Sequence, residues 1–194
     1  MDPIEIIGFV FGVLTVWLST REHIATWPTA LVNTAFYFVI FARAGIYANA
    51  GLQIVYFSLS CYGWYAWKYG GAAHTPLVVT RVTRRHVMLY VPLALAATLA
   101  FGFTLSRVNG AALPWVDAAT TATSIVAQWM MTRKQLENWL VWNVVNVAYV
   151  AMCLSQELFL TAALYTVYLV LATIGFFSWR ASLRASLRAE SAPA

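Results

Sequence analysis

Charge is what this chain has least of. Asp, Glu, Lys and Arg make up 10% of its 194 residues, where a soluble domain carries about a quarter. Apolar residues make up 61% and mean hydropathy is +0.70. A soluble fold is excluded, and the length leaves room for one membrane domain without a soluble catalytic one. Cysteine is almost absent. Cys61 and Cys153 lie in separate apolar stretches, which argues against a disulfide framework or a thiolate metal site. No basic segment precedes the first apolar run, which opens on Asp2 and Glu5, so no cleavable signal peptide is expected. No acid or base sits firmly in the middle of an apolar run. Asp117 is the deepest carboxylate, about a turn into its segment, and a proton- or sodium-driven carrier normally shows a buried acidic relay. Nucleophile–base pairs, phosphate loops and metal clusters are missing. His23, His74 and His86 fall in polar connections and read as solvated. These absences disfavour an enzyme, and an energised pump more strongly; no cofactor is expected. The net charge of +5 sits in loops and tail, where it reports topology and not nucleic-acid binding.

What is present is long apolar runs. A membrane span needs about 20 mainly apolar residues. Seven segments qualify, at about 3–20, 26–43, 47–67, 87–106, 112–131, 138–155 and 158–179. They are too long for barrel strands, so helices are expected. Pro3, Pro28, Pro92 and Pro114 fall near span starts, where a missing N–H costs least. Lys68–His86, with Gly70, Gly71, Pro76 and a third of the Lys and Arg, reads as a surface linker.

The chain also repeats itself. Trp17–Trp67 set against Trp129–Trp179, at an offset of 112 without a gap, gives thirteen identities. They include Trp17/Trp129, Thr20/Thr132, Arg21/Arg133, Trp27/Trp139, Tyr37/Tyr149, Tyr56/Tyr168, Gly63/Gly175 and Trp67/Trp179. Apolar sequences share Leu and Val by chance, but not Trp, Gly and a Thr-Arg pair in register. Glu5 falls opposite Asp117 at the same offset. The repeat covers helices 1–3 (3–68) and 5–7 (112–180). Residues 69–110 supply the basic linker and a single connector helix, and 181–194 a tail. An odd number of helices per copy would invert the second copy; the extra span restores its orientation. The expectation is a 3+1+3 parallel repeat of seven transmembrane helices, with the site between the copies. With the N-terminus outside, ten Lys and Arg lie inside and only Arg43 and Arg107 outside, a positive-inside bias. N-out and C-in is therefore expected.

Polar residues inside the spans mark a candidate site. In helix 6, Trp139, Trp142, Asn143, Asn146 and Val150 share one face at about 100° per residue. Val141, Val144 and Val145 form the opposite face. Two carboxamides beside two indoles suit a flat polar ring: the rings stack and the amides fix orientation. The bland alternative is that the Asn pair bonds neighbouring helices and that Trp139 belongs to an interfacial belt. Helix 2 adds Asn33 and Tyr37. Helix 3 adds Gln53 and Tyr56, with Ser60 and Gly63 on the same helix. Helix 5 carries a stripe of Thr120, Thr121, Ser124 and Gln128, long enough to line a cavity. Gly12, Gly45 and Gly63 are candidate hinge or close-packing positions.

Together these features resemble the PnuC family of bacterial vitamin transporters. The resemblance covers nearly the whole chain. It rests on the 3+1+3 repeat, on Trp27-Pro28 opening helix 2, on Gly63-Trp64-Tyr65-Ala66-Trp67 ending helix 3, and on Glu137-Asn138-Trp139 through Trp142 to Asn146. The last string is similar to the family's Trp-x-x-Trp-x-x-x-Asn/Asp substrate motif, matched by Trp139, Trp142 and Asn146. The resemblance implies a SWEET-like fold in the bacterial inner membrane. It also implies facilitated diffusion of an unphosphorylated vitamin, trapped afterwards by a cytoplasmic kinase that need not touch the carrier. Nicotinamide riboside is the leading substrate expectation, thiamine the alternative, and another nucleoside or a flavin comes behind. Both leading candidates carry a cationic ring, which gains about 2 kcal/mol or more against a desolvated aromatic face. Two other classes compete: a sugar uniporter of the same architecture, and a non-transporting membrane subunit. A homo-oligomer is compatible with so small a chain.

Overall fold

The computed structural model describes residues 3–107 and 113–190. The expected start of the fifth span at 112 and the side chains of Glu5 and Tyr47 lie outside what is described. Seven α-helices follow one another: α1 (Pro3–Thr20), α2 (Thr26–Arg43), α3 (Tyr47–Tyr69), α4 (Arg84–Ser106), α5 (Pro114–Thr132), α6 (Asn138–Ser155) and α7 (Phe159–Glu190). By length and composition, α4, α6 and α7 are apolar enough to cross a membrane on their own account. Helices α2, α3 and α5 are lowered in hydropathy by Asn, Gln, Ser and Thr, many of which turn out to face inward.

The 112-residue offset is visible in the packing, contact by contact. Trp67 donates from Nε1 to the Met131 carbonyl at 3.0 Å, and Trp179 to the Ser19 carbonyl at 2.9 Å. Both donor and acceptor pairs are equivalent across the repeat, so each copy's third helix is tied to the other's first. Thr20 and Thr132 both bond back to the tryptophan carbonyl three residues earlier, at 2.7 Å. Glu22 and Lys134, again 112 apart, both turn the chain with positive φ (54° and 47°). The Trp27 ring lies directly on Gly63, and the Trp139 ring on Gly175, so a side chain at either glycine would enter the indole. That close approach explains why the two glycines recur.

Four of the repeated tryptophans form one cluster at the basic end of the bundle. Edge contacts run Trp27–Trp67 (5.2 Å), Trp67–Trp179 (5.8 Å) and Trp179–Trp139 (5.4 Å). All four are at most 3% exposed. Lys134 Nζ sits 4.6 Å from the Trp67 ring and 2.9 Å from Glu22. The pseudo-axis thus passes between two residues that are each other's counterparts.

The connection from α3 to α4 departs from the expected surface linker. Val79 is 3% exposed and joins the tryptophan cluster, with Leu77 packed against it. The Leu77 amide bonds the Trp67 carbonyl, and Thr80 exchanges backbone bonds with Lys134 and Leu136. The physical reason is the alternation in Leu77-Val78-Val79: Leu77 and Val79 turn inward and bury apolar surface where the neighbouring Gly, Pro and Arg suggest only solvent, while Val78 stays exposed. Glu137 clamps the strap through Arg81 (3.0 Å) and the Val82 amide (2.8 Å). His86 is not freely solvated either: it completes a capping box with Thr83 at the start of α4 and stacks on Tyr90. Helix α4 itself packs on α5. Helix α7 continues through 181–190, where Ala, Leu, Ser and Arg carry the helix beyond the apolar span.

Candidate functional site

A cavity of about 690 Å³ lies on the pseudo-axis between the two repeats, within the usual range for small-molecule sites. Its walls are built largely from counterpart residues. Trp27 and Trp139 form its floor against the tryptophan cluster, and Tyr37/Tyr149, Leu52/Leu164 and Tyr56/Tyr168 line its sides. At the far end the lining includes Asn49 and Thr161, also counterparts and both exposed. The cavity is therefore closed at the basic end and open at the other.

Of the eleven site residues expected from sequence, ten line this cavity: Trp142, Asn146, Trp139, Asn33, Tyr37, Gln53, Tyr56, Gln128, Ser124 and Thr121. They come from α2, α3, α5 and α6. Asn143 does not line it. Its Oδ1 is buried without a hydrogen-bond partner among the described residues, so the Asn pair of helix 6 does not act as one surface. The helix angle between the two residues is the cause. Asn146 lies one turn from Trp142 and shares its wall, whereas Asn143 is rotated away. On the opposite face of α6, Val145 is packed at 1% exposed while Val144 is 67% exposed.

The polar side chains fall into two groups. Some are already satisfied inside the protein. Asn33 donates to the Gly8 carbonyl at 2.7 Å, which makes it helix glue. Tyr56 and Ser124 share a 2.5 Å hydrogen bond between α3 and α5. The counterpart of that pair is Tyr168 against Gly12, where the hydroxyl lies where a side chain would begin. Others are free. Asn146 is 4% exposed and its side chain forms no hydrogen bond among the described residues; half-buried Gln53 and Gln128 form none there either. Buried carboxamides are nearly always bonded, so unpaired amides on a cavity wall are groups awaiting a partner. Among the described residues no Lys or Arg lines the cavity, and Asp117 is the one carboxylate that does.

Aromatic rings complete the wall. Tyr149 stacks on Tyr165 at 4.5 Å and 11°, and Tyr168 meets Tyr165 edge-on at 6.0 Å. Tyr165 and Tyr168, on α7, were not among the expected site residues. The signal was present, since Tyr168 is the counterpart of Tyr56 and Tyr165 that of Gln53; transferring each lining position through the offset would have found both.

The sequence model of the nicotinamide mononucleotide transporter family matches residues 2–181. The chain belongs to this family. Among curated relatives, the nicotinamide riboside transporter PnuC of Escherichia coli K12 is 27% identical over 93% of this chain and 86% of its own length. The riboflavin/roseoflavin transporter RibM of Streptomyces davaonensis is 26% identical over 98% and 91%. A crystal structure of the vitamin B3 transporter PnuC superposes with a TM-score of 0.73 at 24% identity, covering 92% of this chain and 81% of that one. The seven-helix fold is thus that of PnuC, and this family member is a membrane transporter.

Proposed function

We propose that this PnuC-family protein is a facilitated-diffusion carrier that takes up nicotinamide riboside. The observation that carries the reading is Asn146, a buried carboxamide with no partner among the described residues, on the wall of a closed-ended cavity. Together with Gln53 and Gln128 it supplies donors and acceptors for a carboxamide and ribose hydroxyls. The Tyr149, Tyr165 and Trp142 rings supply faces for a pyridinium cation. A phosphorylated nucleotide fits less well, because a phosphate would find no Lys or Arg in the lining. The basic end, rich in Arg and Lys, is read as cytoplasmic, so the cavity faces outward with its inner end shut. Uptake then requires the two copies to rock until the tryptophan cluster and the Glu22–Lys134 pair part. A kinase beyond the membrane traps the product by phosphorylation, and no ion gradient is spent.

Riboflavin is a second reading. It is favoured by the RibM relative, whose match spans this chain more fully than that of the E. coli transporter. Calorimetric titration of the purified protein with nicotinamide riboside, thiamine and riboflavin separates the cases. Saturable heat with the riboside alone supports the proposal. Heat with either other vitamin keeps the cavity and reassigns its occupant.

A further inference from the structure

We propose that Asp117 selects the charge of the transported ring, by serving as its counter-ion near the open mouth of the cavity. The inference rests on the nicotinamide riboside reading and deepens it. Asp117 stands in the first turn of α5, behind Pro114, and is the one carboxylate lining the cavity among the described residues. Its side chain forms no hydrogen bond and no ion pair among the described residues; the two ion pairs there, Arg81–Glu137 and Lys134–Glu22, lie at the opposite end. Arg43 and Arg107, the two basic residues at its own end, do not pair with it.

Asp117 shares the cavity wall with Tyr149 and Tyr165, which stack on each other. A flat ring entering along this tyrosine wall therefore passes beside an unpaired carboxylate. An acidic group left without a partner in a partly dehydrated cavity is costly, and a cationic ring removes that cost while a neutral ring of the same shape does not. Tyrosine faces favour the cation as well, but they bind neutral rings by stacking too. Of the lining groups among the described residues, Asp117 alone distinguishes the two by full charge. Discrimination between an oxidised, cationic ring and its reduced, neutral counterpart accordingly falls to this residue.

The test compares nicotinamide riboside with its reduced dihydropyridine form, which has the same sugar and carboxamide without the ring charge. Both are titrated into purified wild type, Asp117→Asn and Asp117→Glu, with thermal unfolding as the check on folding. In wild type the oxidised form should bind about tenfold more tightly, as expected for one partly solvated ion pair of about 1.4 kcal/mol. Asp117→Asn should bring the ratio close to one, and Asp117→Glu should retain most of it. A ratio unchanged in folded Asp117→Asn overturns the role of Asp117 while leaving the riboside reading intact. A folded wild type that binds neither form overturns the riboside reading and this inference with it.

Discussion

Glu22 and Lys134 occupy the same position in the two repeats, so exchanging them should approximate the symmetry operation of the fold. The pair is 2.9 Å long, with side chains 21% and 9% exposed. A fully buried pair loses about 3–5 kcal/mol when one partner goes, and an exposed one at most about 1 kcal/mol. Burial here lies between, so roughly 2 kcal/mol is expected, plus about 0.5–1 kcal/mol for the Lys134 ammonium over Trp67. Lys134→Glu or Glu22→Lys alone also sets two like charges together. Each single variant should therefore lower the unfolding midpoint by roughly 6–12 °C, taking about 2–4 °C per kcal/mol for a chain of this size. The double exchange restores the pair and adds no backbone strain, because both sites already hold positive φ. It also places the new lysine toward Trp179, the counterpart of Trp67. Thermal unfolding in detergent should show the double variant regaining at least half of the loss. A double variant as unstable as the sum of the singles would refute the pseudo-symmetric reading of this contact.

Other expectations follow from the same contacts. Gly63→Ala and Gly175→Ala drive a methyl into Trp27 and Trp139, and each should cost about 1–3 kcal/mol by overpacking, read as a lower unfolding midpoint. Trp179→Phe removes one of two donors to the Ser19 carbonyl, which keeps the Glu22 amide, at a loss of about 0.5–1.5 kcal/mol. Trp67→Phe should cost more, since it also replaces the indole beneath Lys134 with a smaller phenyl face that holds a cation less well; equal losses would argue against that contact. Trp142→Ala should abolish riboside binding with the protein still folded, and normal affinity there would displace the site from α6. In proteoliposomes, riboside counterflow should run at full rate without a proton or sodium gradient; dependence on either would contradict facilitated diffusion.

Much of this architecture could be read from the residues because the repeat constrains it twice. Trp27, Trp67 and Gly63 recur at 139, 179 and 175 for one packing reason, and that register also marks which helices face each other. The polar stripe of α5 and the Trp142–Asn146 wall followed from helical spacing alone. Asn143 shows the limit of that argument: two amides three residues apart look like one face, but the cavity is narrower than the stripe. Asn33 shows another, since spacing cannot tell an amide that binds substrate from one spent on the Gly8 carbonyl. The strap over Val79 was hidden because composition averages over a segment, and three apolar residues among Gly, Pro and Arg do not raise the average.

In the proposed carrier the buried amide of Asn146, on the cavity wall between the repeats, holds the vitamin. The deciding measurement is titration of nicotinamide riboside into Asn146→Ala beside wild type. Saturable heat is expected in wild type and its loss in the variant, at an unchanged unfolding midpoint. Equal affinity in the two proteins would contradict it.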